Sequence, residues 1–202
     1  MQNQTITMAL FEQTIDQHSD FLGTLRHRFL DENRKNALEA FALKGFPTKK
    51  DEEYKYTNLK EITEKNYNFF PTEEHHISRE QLDALHLGEE NFDRIVFING
   101  KLHKEFSKIS IGNAEFLSFN YALNDPAHKE VFDKYFNTIA NKDLAFTNLN
   151  SAYCKFGFFL RVPKNVVIEK PIHVFYLSQN QEENTFYNTR NLLIVEEGAK
   201  VE

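Results

Sequence analysis

Few residues of this 202-residue chain could do chemistry, and the single thiol is the first of them. Cys154 is the only cysteine, so the chain by itself can form neither an internal disulfide nor a cysteine-rich metal site. Sites built on thiolates take about four such ligands. Cys154 could supply at most one ligand of a shared site. We expect it instead to be a small side chain that packs, buried or half-buried, in the protein.

Histidines offer a second possibility, a metal site. The adjacent pair His75 and His76 lies beside Glu73 and Glu74, but neighbouring side chains point in different directions on a regular backbone. We therefore expect no specific metal site at this pair, and adventitious metal binding is the alternative. The other histidines show no HExxH or comparable ligand spacing, and we predict surface or capping positions for them. They are His18, His27, His86, His103, His128 and His173.

An acidic run, Asp51-Glu52-Glu53, could act as a general acid or base. Because lysines flank it at a predicted helix start, it is better explained as a solvated face. Tyr54 and Tyr56 within this segment are predicted packing anchors. The seven glycines are scattered, so no phosphate-binding loop is present, and no Gly-x-Ser-x-Gly motif occurs. We therefore predict no catalytic, cofactor-binding or metal residues and no enzyme activity.

Composition limits the remaining functions. Hydrophobic residues make up 41% of the chain, which is enough for a core. The charge of −6, from 24 basic and 30 acidic residues, disfavours binding to a phosphate backbone. No window approaches the roughly 18 to 20 apolar residues of a membrane span, and residues 1–10 lack the pattern of a signal peptide. We expect a cytoplasmic protein.

The elements that must position these residues are of two kinds. In residues 1–154 the apolar side chains recur mainly at helical spacing, which predicts an N-terminal helical region. Residue types that favour helix caps occur at Ser19, Gly45, Thr48, Ser78 and Asp125. The first predicted helix begins at Ser19, and the next begins at Ala37, after the polar stretch 31–36, and ends at Gly45. One β-hairpin is predicted near 94–106, because the pair Asn99-Gly100 suits the positive φ angles of a two-residue turn.

Residues 155–202 have an extended pattern and equal numbers of basic and acidic residues. Short apolar runs broken by Pro, Asn and Gly are typical of a solenoid or a small sandwich, although no sequence period is visible. The predicted strands are 157–162, 166–169, 172–177, 185–189 and 191–196.

The end of the chain carries a further expectation. The sequence stops shortly after Gly198, where a new strand begins. An open strand edge is costly, so we expect residues 155–202 to be an incomplete domain whose sheet continues in a missing part. A natural stop at Glu202 is the alternative.

Two stretches are more specific than packing alone requires: residues 46–59 (FPTKKDEEYKYTNL) and residues 146–171, with FTNLNSAY followed by LRVPKNVVIEKP. Together with residues 95–100 (IVFING), they resemble the SufB/SufD family of iron–sulfur cluster assembly proteins. The first stretch is most similar to the SufD branch, although Tyr54 stands where many members carry Trp. The resemblance covers nearly the whole chain, in the family's order.

The resemblance implies an α+β fold: an N-terminal mostly helical region with a β-hairpin, followed by the first turns of a right-handed parallel β-helix, here truncated. It implies a non-enzymatic scaffold component of a SufBCD-type complex, with a SufB-like paralogue and a SufC-like ATPase as partners. The iron–sulfur cluster would be assembled by the whole complex, and this fragment would bind none. The family's docking and cluster-assembly segments would lie beyond Glu202, so no site residue is carried over.

Two alternatives remain open. Residues 194–201 faintly resemble one hexapeptide rung of a left-handed β-helix, as in acyltransferase-like enzymes. The chain could also be the SufB paralogue itself, since half of a protein offers few residues by which SufB and SufD could be distinguished.

Overall fold

A computed structural model describes residues 9–25, 30–70, 77–84, 91–178 and 184–202. The fold is α+β, with helices in the N-terminal part and small mixed sheets. Within the described residues, no helix combines the length and the apolar character that crossing a membrane would require.

The helices are α1 (Ala9–Asp16), α2 (His18–Gly23), α3 (Asp31–Lys44), α4 (Lys60–Thr63), α5 (Arg79–Ala84), α6 (Phe119–Asn124), α7 (Lys129–Tyr135) and α8 (Ala145–Tyr153). The strands are β1 (Asp93–Ile98), β2 (Lys101–Leu102), β3 (Glu115–Ser118), β4 (Phe158–Val162), β5 (Ile172–Leu177) and β6 (Leu192–Val195).

The chain divides into two compact units. The first takes its described residues from 1–71, 123–154 and 181–188, and the second from 72–122, 155–180 and 189–202. The hairpin therefore belongs to the second unit. The proposed division into 1–154 and 155–202 stays a prediction.

The core of the first unit is built mainly by α3 packing against α8. Its buried members are Leu10, Phe21, Leu22, Ala37, Phe41, Phe69, Leu149, Ala152 and Tyr153. Helix α3 begins with two acidic residues, which the helix dipole favours, and ends at Gly45, whose φ of 68° terminates the helix as predicted. Residues 31–36, predicted to be a polar stretch before the helix, form its first turns.

Three buried polar contacts tie the C-terminal end of α8 to the preceding helices. The carbonyl groups at a helix end have no partner inside the helix and need donors from elsewhere. His18 Nε2 lies 3.2 Å from the Ala152 oxygen, and Arg34 Nη2 donates to the Cys154 oxygen at 3.1 Å. The hydroxyl of Tyr153 donates to the backbone oxygen of α1 residue Thr14 at 2.5 Å. His18 is therefore buried and does not lie at the surface; of the two predicted positions, surface or cap, its contact with the Ala152 oxygen near the end of α8 fits the cap.

The burial of His18 predicts a pH-dependent stability. Desolvation lowers the pKa of its imidazole below the ordinary value of 6.5, although the Ala152 carbonyl opposes the shift. The unfolded chain then binds a proton more readily than the folded chain. Neutral His18 makes its full contribution to the free energy of unfolding at a pH above the pKa that His18 has in the unfolded chain. This contribution is lost as the pH falls through the pKa of the folded chain, by up to about 1.4 kcal/mol per pH unit.

We therefore expect the urea midpoint of the wild type to fall between pH 7 and pH 5, and to fall less in His18→Gln. His173→Gln, at an exposed position, is the matched control and should keep the wild-type slope. Equal pH slopes for His18→Gln and the wild type would contradict the assignment.

The second unit contains two three-stranded sheets, ordered β2-β1-β5 and β3-β4-β6. Strands β1 and β5 are parallel, as are β4 and β6, whereas β1–β2 and β3–β4 are antiparallel. One apolar cluster combines side chains of both sheets, and its buried members are Ile95, Phe97, Phe158, Leu160, Val162 and Ile168.

Several local predictions are confirmed in detail. Asn99 and Gly100 have φ angles of 47° and 81° and join β1 to β2, although β2 has only two residues. The Asp125 side chain accepts from the Ala127 amide at the start of a short 3-10 helix with proline in first position. Ser78 and Gln81 form a reciprocal capping box at α5, with donor–acceptor distances of 2.9 and 3.2 Å.

Candidate functional surface

The most regular feature of the second unit is a parallel pairing with a constant register. Phe159 pairs with Leu192, and Val162 pairs with Val195. The partners are 33 apart in sequence, as in two side-chain hydrogen bonds that link the same segments. Isolated parallel bridges join Phe156 to Thr189 and Val167 to Lys200 at this same separation. The chain from 156 to 168 is therefore followed along its length by the chain from 189 to 201.

The register continues through a turn, where a strand pair would normally end. The Val166 amide donates to the Pro163 oxygen, and at the equivalent place in the later segment the Ala199 amide donates to the Glu196 oxygen, both at 3.0 Å. The third residues of these turns, Asn165 and Gly198, have φ angles of 61° and 71°. Stacked turns of the same shape are what one coil lying on another requires.

The close approach of the two turns explains why the later turn, at residues 196–199, has glycine as its third residue. A Cβ on Gly198 would overlap the Asn165 side-chain oxygen, and Gly198 already has a φ that L side chains rarely adopt. The Asn165 amide also donates to the Glu197 oxygen at 3.1 Å.

Ion pairs link the same two segments at the surface. Arg161 contacts the Glu196 carboxylate at 2.6 Å, and Lys164 contacts Glu197 at 2.7 Å. The hydrogen bond from Arg161, with a second from the Lys164 amide, lowers the pKa of Glu196. Exposed pairs add little stability, but the Lys164–Glu197 pair, at the separation of 33, favours this register over a shifted one.

The outer side of β6 is open. Strand β6 pairs with β4 along one edge, and within the described part of the chain no strand pairs along its other edge. Leu193 and Val195 are 50% and 44% exposed, although they stand in register with Leu160 and Val162, which are buried. We call residues 192–195 the β6 edge. It presents unpaired backbone groups and apolar side chains to a further strand.

The single thiol, the first candidate metal ligand, is enclosed by the protein. Cys154 is completely buried, and its Sγ lies 3.5 Å from the Ser151 oxygen. Among the described residues, no group of three or more His, Cys, Asp or Glu could hold a metal ion. His75 and His76 lie outside the described residues.

The segment 46–59 is partly as predicted. The acidic run is exposed, but it forms a 3-10 turn (Glu52–Tyr54). Two hydrogen bonds from Thr48, from its amide at 2.6 Å and its hydroxyl at 3.1 Å, lower the pKa of Asp51. The Tyr54 ring lies 5.9 Å from that of Phe146, whereas Tyr56 is 92% exposed, so its predicted packing role is wrong.

Comparisons with known proteins agree with the resemblance that the sequence motifs indicate. The family model for the N-terminal region of SufBD proteins matches residues 3–174. An iron–sulfur cluster assembly SufBD family protein of Synechocystis is 26% identical over 168 residues, which are 83% of this chain and 37% of that relative. SufBD family proteins of Staphylococcus saprophyticus and Staphylococcus aureus are 35% identical over 75 residues, 37% of this chain and 16% of each relative. The matched part thus spans well under half the length of these relatives, and the chain belongs to the SufBD family.

Proposed function

We propose that this chain is a scaffold component of a SufBCD-type iron–sulfur cluster assembly complex in the cytoplasm. It would act structurally, by pairing with a SufB-like paralogue and working with a SufC-like ATPase, and it would catalyse no reaction itself. The cluster would be assembled by the whole complex. Family membership, and relatives that are named as iron–sulfur cluster assembly proteins, support a role in this process. The SufD-like assignment rests on the segment 46–59 alone.

The observation that carries the structural part of the proposal is the constant sequence separation between the paired segments. A pairing that continues through a turn is what the first coils of a parallel β-helix would produce, with right-handed winding as part of the proposal. The relatives extend well beyond the matched part. If the full-length protein that contains this chain does the same, its further coils would pair with the β6 edge.

The same observation gives no support to the acyltransferase alternative. A coil built from hexapeptide rungs would pair residues separated by a multiple of six, and the observed separation of 33 is not such a multiple. The scaffold function is therefore the better explanation of the pairing.

Co-purification tests the proposal. The full-length protein that contains this chain would be co-expressed with the SufB-like and SufC-like proteins of the same genome, with an affinity tag on the SufC-like protein only. We expect the three proteins to co-elute as one complex in size-exclusion chromatography with light scattering. Recovery of the full-length protein only as a free monomer would contradict the proposal.

The isolated chain provides the control. It is expected to hydrolyse no ATP, because it has no glycine-rich phosphate loop. It is also expected to retain no iron–sulfur cluster after purification, because its one thiol is buried. Turnover of ATP, or visible absorbance from a cluster bound with Cys154 intact, would count against a purely structural role.

A further inference from the structure

A separate surface feature lies in the first unit, where α3 ends. A cavity of about 500 Å³ opens there between the end of α3 and the segment that leads to α4. We call it the α3-end pocket. Its lining residues are Phe11, the continuous stretch 42–49, the stretch 57–60 and Thr63.

The apolar wall of the α3-end pocket is fixed by the core behind it. The ring of Phe11 lies 5.6 Å from that of Phe41, which is completely buried, and the ring of Phe46 lies 5.0 Å from the same residue. Phe46 also packs against Phe146 at 5.7 Å. A ligand that enters would meet a preformed wall and would not have to order it.

The mouth of the pocket exposes apolar side chains that the fold does not cover. Leu43 lies on the last turn of α3 and is 89% exposed. Pro47 and Leu59 are half-buried in the lining. Apolar groups exposed around a concave site are typical of a binding surface.

The charge of the lining is positive, against the chain's overall charge of −6. Lys44, Lys49 and Lys60 line the pocket, and no Asp or Glu does. Lys44 is partly engaged, since its Nζ donates to the Asp143 backbone oxygen at 2.7 Å and lies 3.6 Å from its carboxylate. Within the described part of the chain, Lys49 and Lys60 pair with no carboxylate.

Two carboxylates near Lys49 in sequence are engaged outside the pocket: Asp51 accepts hydrogen bonds from Thr48, and the Glu52 carboxylate lies 3.7 Å from Lys55. Glu61 and Glu64, which are close to Lys60 in sequence, are not part of the lining. The pocket therefore combines an apolar floor with a cationic rim, which complements an apolar side chain flanked by negative charge.

We propose that the α3-end pocket docks a short acidic segment of a partner protein. A large apolar side chain of that segment would fill the cavity, as buried anchors do in other interfaces, while flanking Asp or Glu residues meet Lys49 and Lys60. The inference does not depend on the scaffold function, because the β6 edge takes no part in it.

A random peptide library displayed on phage tests the proposal without a known partner. Selection would be performed against the immobilised chain and, separately, against Lys49→Glu/Lys60→Glu. The matched control is Lys35→Glu/Lys65→Glu, which makes the same charge change at exposed positions outside the lining. Thermal unfolding by circular dichroism would verify that all variants are folded.

We expect the wild type and the control to select peptides in which Asp or Glu flank an aromatic residue or leucine. The best peptide, measured by fluorescence anisotropy, should bind Lys49→Glu/Lys60→Glu about tenfold or more weakly, a change of about 1.4 kcal/mol or more. Added salt should weaken its binding to the wild type.

Other results would overturn the inference. These are no enriched peptides, enrichment without acidic residues, equal affinity for both double variants, or displacement of the peptide by a second copy of the chain. Displacement by anionic vesicles or by a single-stranded oligonucleotide would assign the pocket to a lipid surface or to nucleic acid, and would equally overturn it.

Discussion

Gly157→Ala is expected to destabilise the second unit by about 4 kcal/mol or to prevent it from folding. Gly157 has a φ of 122°, a conformation that L side chains rarely adopt. An added Cβ would overlap the Arg190 carbonyl oxygen and would lie 2.7 Å from its carbonyl carbon. The backbone cannot move away cheaply, because the Arg190 amide donates to Phe156 and the Gly157 oxygen accepts from Phe119, both at 2.8 Å.

Gly23→Ala is the matched control. Gly23 ends α2, and a Cβ added there would meet no atom within 4 Å. Because alanine has a higher helix propensity than glycine, Gly23→Ala should leave the stability unchanged or raise it by up to about 1 kcal/mol. Urea unfolding gives the midpoints, and amide hydrogen exchange of β4 and β6 shows whether the loss is in the second unit. Equal midpoints for the two variants would show that the paired segments tolerate a side chain at Gly157.

The behaviour expected of Gly157 shows what kind of structure could be predicted from the sequence. Elements that depend on one residue's conformation were predictable: the hairpin turn at Asn99-Gly100, the cap at Asp125 and the helix end at Gly45 are all confirmed. In each of them a local chemical requirement selects the residue type. Strand β5 also has the predicted bounds.

Elements that depend on distant partners were not predictable. Helix α1 was not predicted. The start of α3 was placed too late, because the residues 31–36 are polar and show no apolar helical pattern, and only the structure shows that Arg34 among them is buried and bonded to the Cys154 oxygen. Of the predicted strands 166–169 and 185–189, the structure shows only isolated bridges at Val167, Thr185 and Thr189. Long-range pairing settles such short segments, and their own pattern does not.

The functional surfaces follow the same distinction. The constant register of the two paired segments has no matching sequence repeat, because backbone hydrogen bonds set it and side chains need only be compatible: Arg161, for example, is paired with Ile194. The α3-end pocket was missed because the segment 46–59 was noticed for its family resemblance, and its cavity appears only when α3 ends beside it. The signal available in the sequence was the unusual segment itself, with the apolar residue Leu43 shortly before it.

Replacing the buried Arg34 gives the second large effect. Arg34→Met is expected to lower the free energy of unfolding by about 3 kcal/mol. Arg34 is 2% exposed, and its guanidinium donates to the Cys154 oxygen at the end of α8, 120 residues away in sequence. Methionine has a similar size but no donor, so the carbonyl loses this charge-assisted hydrogen bond and α8 loses a cation at its negative end.

Two further variants separate this explanation from a loss of packing. Arg34→Lys keeps the positive charge without the planar guanidinium, so it should lose less stability than Arg34→Met. Lys35→Met makes the same kind of change at the exposed neighbouring position of α3 and should lie within about 0.5 kcal/mol of the wild type. Because the chain has no Trp, urea unfolding would be followed by circular dichroism and tyrosine fluorescence. If Arg34→Lys lost as much as Arg34→Met, the shape of the side chain would matter and its charge would not; if Arg34→Met matched Lys35→Met, the contact with Cys154 would contribute nothing to holding α8 on α3.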